Sequence, residues 1–278
     1  MRKQKIKIAT IDLYNNERNE GMRCIGEIAE ETKKKFNDLD ISYNVYETRF
    51  KENIPGMDYD IFISSGGPGS PFEGEGKKWE KDYFNLIGKI YSHNQTNTDK
   101  KKYIFFICHS FQMMARFFEF GDVSKRNSKS IGVMPFEKTE SGKADNILNR
   151  LTNPFYAADI REYQVKNPNR KVIDDIGAKI LSYEILDDNA EGEPAIAAVK
   201  ISNEIFGTQF HPEADPESML YHFNRPDEKK QIVDTYGKEK YIQMLEIIQE
   251  PNAVKLTRKT VIPNFLNGAI DELNKVLI

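Results

Sequence analysis

The sequence predicts an α/β fold in which a mixed, mainly parallel sheet is sandwiched by helices, and three observations carry that prediction. Short apolar runs alternate with segments of helical period through the first hundred residues, the pattern of βα crossovers. One run, residues 103–107, is apolar at every position, as a strand buried on both faces must be. That run turns at Cys108 into a stretch where Phe111, Met114, Ala115 and Phe118 recur at helical spacing.

In chain order, residues 6–13 read as a first strand, and the polar stretch 14–21 as a loop. Residues 22–37 carry Ile25, Ile28, Ala29 and Phe36 on a helical period, with Cys24 as filler. Ile41, Tyr43, Val45 and Tyr46 mark a second strand, and residues 59–63 a third, after a turn at Pro55-Gly56. Residues 77–91 read as a helix with Trp79, Tyr83, Phe84, Ile87 and Ile90 on its apolar face. The basic segment 123–129 reads as a solvated hairpin connection. Strands are expected at 131–136, 178–185, 195–201 and 205–210, with so little helix between them that this part of the sheet should be partly antiparallel. Beyond 222, a helix start at Asn224-Arg225-Pro226-Asp227 leads into an amphipathic helix broken at Pro251, and a last helix is expected from about Pro263.

Composition narrows the function classes. A formal net charge of −3 creates no demand for nucleic acid or an anionic membrane as partner. No apolar run approaches the ~20 residues needed to span a bilayer, and the N-terminal residues alternate rather than forming a signal-peptide core. Two cysteines in 278 residues make neither a disulfide framework nor a zinc cluster. A soluble, cytoplasmic protein of a reducing compartment is expected.

Three stretches carry possible chemistry, each weak alone. Cys108 stands at a strand-to-helix turn, where free N–H groups and the helix dipole favour a thiolate; a cysteine ending an apolar strand is otherwise plain packing. Ser65-Gly66-Gly67-Pro68-Gly69-Ser70-Pro71 lacks the lysine of a phosphate loop, and Phe72 stands where a dinucleotide fingerprint needs glycine. What remains is an ordinary structural turn, or a strand-end loop that aims a backbone N–H at a site. In Phe210-His211-Pro212-Glu213, residues two apart project to one side of an extended chain, so Glu213 can orient His211; a surface histidine near an acid reads the same way. All three lie at the C-terminal ends of expected strands, the edge where open α/β sheets bind ligands.

Together with Ile107-Cys108-His109-Ser110-Phe111-Gln112, Gly207-Thr208-Gln209 and the later Ser130-Ile131-Gly132, these motifs resemble the class I, triad-type glutamine amidotransferases over roughly residues 5–222. The resemblance implies a flavodoxin-like sheet and a Cys-His-Glu triad, with Cys108 as nucleophile, His211 as base then acid, and Glu213 as its orienter. It further implies an oxyanion hole from the backbone N–H groups of Gly67 and His109, and substrate contacts from Gln112 and Gly66. The implied activity is hydrolysis of the glutamine side-chain amide through a cysteine thioester, with ammonia passed to a synthetase or other acceptor protein, and that chemistry requires no metal or organic cofactor.

Two features depart from that pattern. The family usually has Cys-x-Gly-x-Gln, and this chain has Ser110 at the glycine position. Residues 223–278 are too few for a fused synthetase; they are expected to form a helical extension packed on or beside an amidotransferase-like domain of residues 1–222. Two alternatives stay open: a γ-glutamyl peptide hydrolase with the same triad, and a catalytically silent binding or regulatory subunit.

Overall fold

The computed structural model describes residues 3–186 and 192–275, so the first two residues of the basic N-terminal segment lie outside the described residues. The first half is a run of crossovers: β1 (Lys5–Ile11), α1 (Gly21–Lys35), β2 (Asp40–Tyr46), α2 (Thr48–Lys51), β3 (Ile61–Ser64), α3 (Lys78–Thr96), β4 (Tyr103–Ile107) and α4 (His109–Phe118). Then come β5 (Asp122–Lys138), α5 (Glu140–Ala144), β6 (Phe155–Lys166), α6 (Arg170–Ile176), β7 (Lys179–Glu184), β8 (Ile196–Lys200) and β9 (Ile205–Thr208). Four helices finish the chain: α7 (Pro216–Asn224), α8 (Pro226–Tyr236), α9 (Lys238–Gln249) and α10 (Val254–Lys275).

All strands join one sheet, ordered β2-β1-β3-β4-β9-β8-β7-β5-β6. β2, β1, β3, β4 and β9 pair in parallel, and β8, β7, β5 and β6 continue antiparallel. The central strand shows why its run is apolar throughout. Tyr103, Phe105 and Ile107 enter the core on one face, with Ile25 and Ile28 of α1 and Phe265 and Leu266 of α10. Ile104 and Phe106 enter the core on the other, with Tyr83 and Ile87 of α3 and Phe111 and Met114 of α4. A third cluster seats Met219, Phe223, Ile232 and Met244 of α7–α9 on Ile131, Val133 and Ala158. No helix among the described residues is long and apolar enough to cross a membrane.

Four local expectations need correction. The basic segment 123–129 is not a hairpin connection but the first half of β5, paired with β6 through a register shift between Lys125 and Ser130. Its charge misled because Arg126 is held inward, donating to Gln164 and Glu184 at 2.9 Å each. β6 itself had no counterpart in the sequence reading, since polar Asp159, Arg161 and Glu162 interrupt its apolar alternation. The helix after Pro226 is two helices, separated by Gly237 at φ +85°. The last helix begins at Val254 and carries Pro263 inside it. An internal proline costs about 3 kcal/mol, but Val261, Ile262, Phe265 and Leu266 are all buried against the sheet, and that apolar burial outweighs it.

Candidate active site

Cys108 follows the last residue of β4, and its N–H donates to Thr208 O of the neighbouring parallel strand at 2.8 Å. It turns the chain into α4 with φ 49° and ψ −100°, a backbone conformation disfavoured for any residue with a Cβ. The elbow is held by Ser110, whose Oγ accepts the Ile107 N–H and lies within donor reach of Ser64 O, both at 2.8 Å. The serine therefore fits where glycine is usual, tying the elbow to β3.

β9 ends at Thr208, and the chain continues to His211, whose N–H donates to Ala158 O of β6 at 2.8 Å. The imidazole Nδ1 lies 2.8 Å from Glu213 Oε1. Glu213 is 1% exposed, and its second oxygen has no protein partner. Burial is the largest influence on His211 and opposes its charge, but the neighbouring Cys108 and Glu213 outweigh it and hold the imidazole well above its ordinary value. The sulfur also lies 3.6 Å from Ile160 O and 3.7 Å from Gln209 Nε2.

Opposite the elbow is the Gly-rich loop. Arg49 fastens it by donating to Leu13 O at 3.2 Å and Pro68 O at 2.7 Å. A Cβ on Gly67 would stand 2.6 Å from Leu13 O, so only glycine allows the loop to lie this close to the end of β1. Gly67 and His109 both line the cavity beside Cys108. Their backbone N–H groups have no acceptor among the described residues, His109 because it opens a helix. Burial pushes the His109 imidazole down to about 3, with Arg49 and Arg116 adding to the effect, so it is a neutral ring packed under the loop.

Gln112 and Gly66 have positions of their own. The Gln112 amide donates to Tyr163 O at 3.1 Å and Gln209 Oε1 at 3.3 Å, so it ties α4 to β6 while lining the cavity. Gly66 stands behind the lining, where a Cβ would be 2.9 Å from His211 Cε1 and 3.0 Å from the Tyr14 hydroxyl. Tyr14, Gln209 and Ile160 went unread as site residues. A polar loop conceals the first, Gln209 sat inside the quoted motif without a role, and Ile160 contributes a backbone carbonyl that no side-chain pattern reveals.

Cys108, His211, Glu213, Gly67, His109 and Gln112 share a cavity of about 350 Å³ at the C-terminal ends of the parallel strands. No cluster of three or more His, Cys, Asp or Glu suited to a metal ion occurs among the described residues.

The same fold recurs in solved structures. The chain is 18% identical to the protein SMU.1228c, with TM-score 0.66 over 95% of this chain and 100% of the other. It is 16% identical to a glutamine amidotransferase from Thermotoga maritima, with TM-score 0.62 over 96% and 98%. It is 11% identical to the CTPS glutaminase domain of Trypanosoma brucei with bound acivicin, with TM-score 0.58 over 97% and 94%. No curated protein sequence matches the chain. The family model described as "Glutamine amidotransferase class-I" matches residues 24–225, most of the chain and all three motif regions. The chain belongs to the class-I glutamine amidotransferase family.

Proposed function

We propose that this protein hydrolyses the side-chain amide of glutamine, with Cys108 as nucleophile, His211 as proton carrier and Glu213 as its orienter. The observation that carries the reading is the 2.8 Å contact between His211 and the buried Glu213, set beside the strained elbow of Cys108. Glu213 fixes the ring so that Nε2 is the nitrogen free to exchange a proton with sulfur.

The steps follow from those positions. His211 takes the thiol proton, and the sulfur adds to the amide carbon. The resulting oxyanion is met by the N–H groups of Gly67 and His109, donors whose loss costs about 100- to 1000-fold in rate. His211 returns its proton to the departing nitrogen, ammonia leaves, and a thioester remains. Water, deprotonated by the same imidazole, then releases glutamate. Gln112 and Gln209 shape the wall beside the sulfur, and Gly66 makes room for the ring.

In this reading residues 1–222 form the amidotransferase-like unit, residues 223–278 pack on it as a helical extension, and the ammonia passes to an acceptor protein such as a synthetase. Free Cys24 and Cys108 suit a reducing, cytoplasmic setting. The test is glutamate release from glutamine by the purified protein, with covalent capture of Cys108 by the chloromethyl ketone analogue of glutamine. Cys108→Ala should lose turnover by roughly 10⁴-fold or more. Full activity in that variant, or no capture at Cys108, would end the reading.

A further inference from the structure

Chain alternation sets two side chains, not one, against the nucleophile. Past the end of β9, Gln209 stays in the ladder by donating its N–H to Ala197 O at 2.8 Å, and His211 donates to Ala158 O at 2.8 Å. Residues two apart on such an extended chain project to one side. Phe210, between them, turns the other way and packs against Phe136 and Phe155, with ring centroids 5.0 and 5.3 Å away. His211 exchanges the proton of the sulfur. Gln209 reaches the same atom, its Nε2 lying 3.7 Å from Cys108 Sγ, within the range of a hydrogen bond to sulfur.

An amide can face a sulfur with its N–H or with its oxygen, and here the neighbours decide which. The Tyr163 carbonyl can only accept, so the Gln112 atom 3.1 Å from it is the nitrogen. The second hydrogen of that NH2 group meets Gln209 at 3.3 Å, so the Gln209 atom there is the oxygen. The end of the Gln209 amide turned to the sulfur is therefore Nε2. Reversing the amide would set N–H against N–H at Gln112 and a carbonyl against the nucleophile. A backbone carbonyl of β6 thus fixes, through two glutamines, which group the sulfur sees. Gln209 is 0% exposed, so it cannot meet a substrate, and its influence falls on the sulfur alone. On the sulfur's other contact, Ile160 O at 3.6 Å can accept a thiol proton but repels a thiolate. The N–H of Gln209 does the opposite, since a hydrogen bond strengthens when its acceptor ionises.

We propose that Gln209 is a further catalytic residue, whose side-chain N–H donates to the Cys108 thiolate and stabilises it, and that Gln112 is the positioning residue that holds the amide in that sense. The inference deepens the Cys108 chemistry above and rests on it. The thiol proton passes to His211, and the charge left on sulfur is met by Gln209 until the new sulfur–carbon bond takes up the electron pair. When water cleaves the thioester, the pair returns to sulfur and the same N–H receives it. Both hydrogens of the Gln112 amide are spent in holding this arrangement, which leaves only its oxygen for a substrate.

The test follows ionisation rather than turnover. Full-length protein is alkylated with iodoacetamide across a range of pH, and the rate is read at the Cys108 peptide by mass spectrometry. Gln209→Met keeps the bulk of the side chain and loses the donor. Because the lost N–H favoured only the ionised sulfur, the midpoint of the rate profile should move up by about one pH unit, the scale of one hydrogen bond to an ionised acceptor. A midpoint does not depend on how much of the variant is folded. Gln112→Met should move it the same way by less, and the double variant should match Gln209→Met alone, since Gln112 acts through Gln209. With both glutamines in place, the Gln209 side-chain amide proton should titrate with Cys108 in the wild-type NMR spectrum and stay still in Cys108→Ala. An unmoved midpoint in Gln209→Met, additive shifts in the double variant, or an amide proton indifferent to Cys108 would each overturn the assignment. A shifted midpoint in a protein that releases no glutamate from glutamine would strike the glutaminase reading and leave the sulfur contact standing. Turnover with an unmoved midpoint would do the reverse.

Discussion

Two cavities lie at opposite ends of the same strands, and the larger of the two is the less eventful. The cavity near the starts of β4 and β9 measures about 460 Å³ against about 350 Å³ at the Cys108 edge. Around the larger one, Lys200 is paired with Asp145 at 2.8 Å, Glu204 accepts from Ser202 at 2.6 Å, and Glu272 accepts from Lys275 at 2.7 Å. None of its lining residues has a buried polar atom left without a partner. At the Cys108 edge, Glu213, His109, Arg161, His222 and Glu228 all do. Volume therefore does not separate a site from a dent. Unmet hydrogen-bonding capacity and a strained backbone do, because both are costs that a fold retains where a ligand or transition state repays them.

The sharpest way to strain that contrast is at Glu213. Glu213→Gln keeps the shape of the side chain and removes its charge, and should lower kcat by about 10³-fold or more, as loss of an orienting carboxylate does elsewhere. The sign of the pH effect follows from the same pair. Glu213 and Cys108 hold His211 up against burial, so removing Glu213 lets burial bring the imidazole down. The alkaline limb of kcat/KM, where the imidazolium is lost, should move to lower pH. A variant with an unshifted limb would show that the carboxylate does not govern the ring.

Gly66→Ala should come next. The added methyl would lie 2.9 Å from His211 Cε1 and 3.0 Å from the Tyr14 hydroxyl, so the ring must move. Displacement of a reacting group by a fraction of an ångström to one ångström costs on the order of 10- to 100-fold in kcat. Because both close contacts are to side chains rather than to backbone, the thermal midpoint should change less than turnover does. Unchanged turnover would mean that the ring has slack the packing does not show.

How much of this was legible depends on what each residue does. The β4 run and the periodicity of α1, α3 and α4 announced themselves because burial on two faces, or on one, writes its period directly into the chain. The three motifs could be placed at strand ends for the same reason. β6 stayed hidden because its inward positions include Asp159 and Arg161, which pair with each other, Ser130 and Glu184 rather than facing water. The part of the Cys108 cavity lined by Met219 and His222 of α7 and Glu228 of α8 stayed hidden for a different reason. Whether His222 and Glu228 look outward or into a cavity is decided by how Phe223, Ile232 and Met244 seat those helices on β5 and β6, a tertiary fact with no local signature.

Ser110 tests the elbow at a smaller scale. Ser110→Ala removes the acceptor of the buried Ile107 N–H and a contact to Ser64 O, at a cost of about 1–3 kcal/mol for the donor left unmet. Chemical denaturation should show the loss as a lower midpoint. Turnover should fall by no more than a few-fold, since Cys108 keeps its bond to Thr208 O.

The smallest effect belongs to the other cavity, and it decides whether the contrast between the two ends is real. Lys200 is 21% exposed at its side chain and Asp145 7%, so their pair is partly screened and worth about 1 kcal/mol or less. Asp145 also accepts from its own Ile147 N–H at 2.9 Å, which limits what breaking the pair can uncover. Lys200→Ala should therefore lower the melting temperature by a few degrees at most and leave kcat and KM for glutamine where they were. The substitution lies at the far end of β8 from Gln209, and β8 pairs with β9 along three registered residues, so a mechanical link to His211 does exist. If Lys200→Ala changed turnover as strongly as Gly66→Ala, that link would have to carry it, and the satisfied cavity would be part of the working site after all.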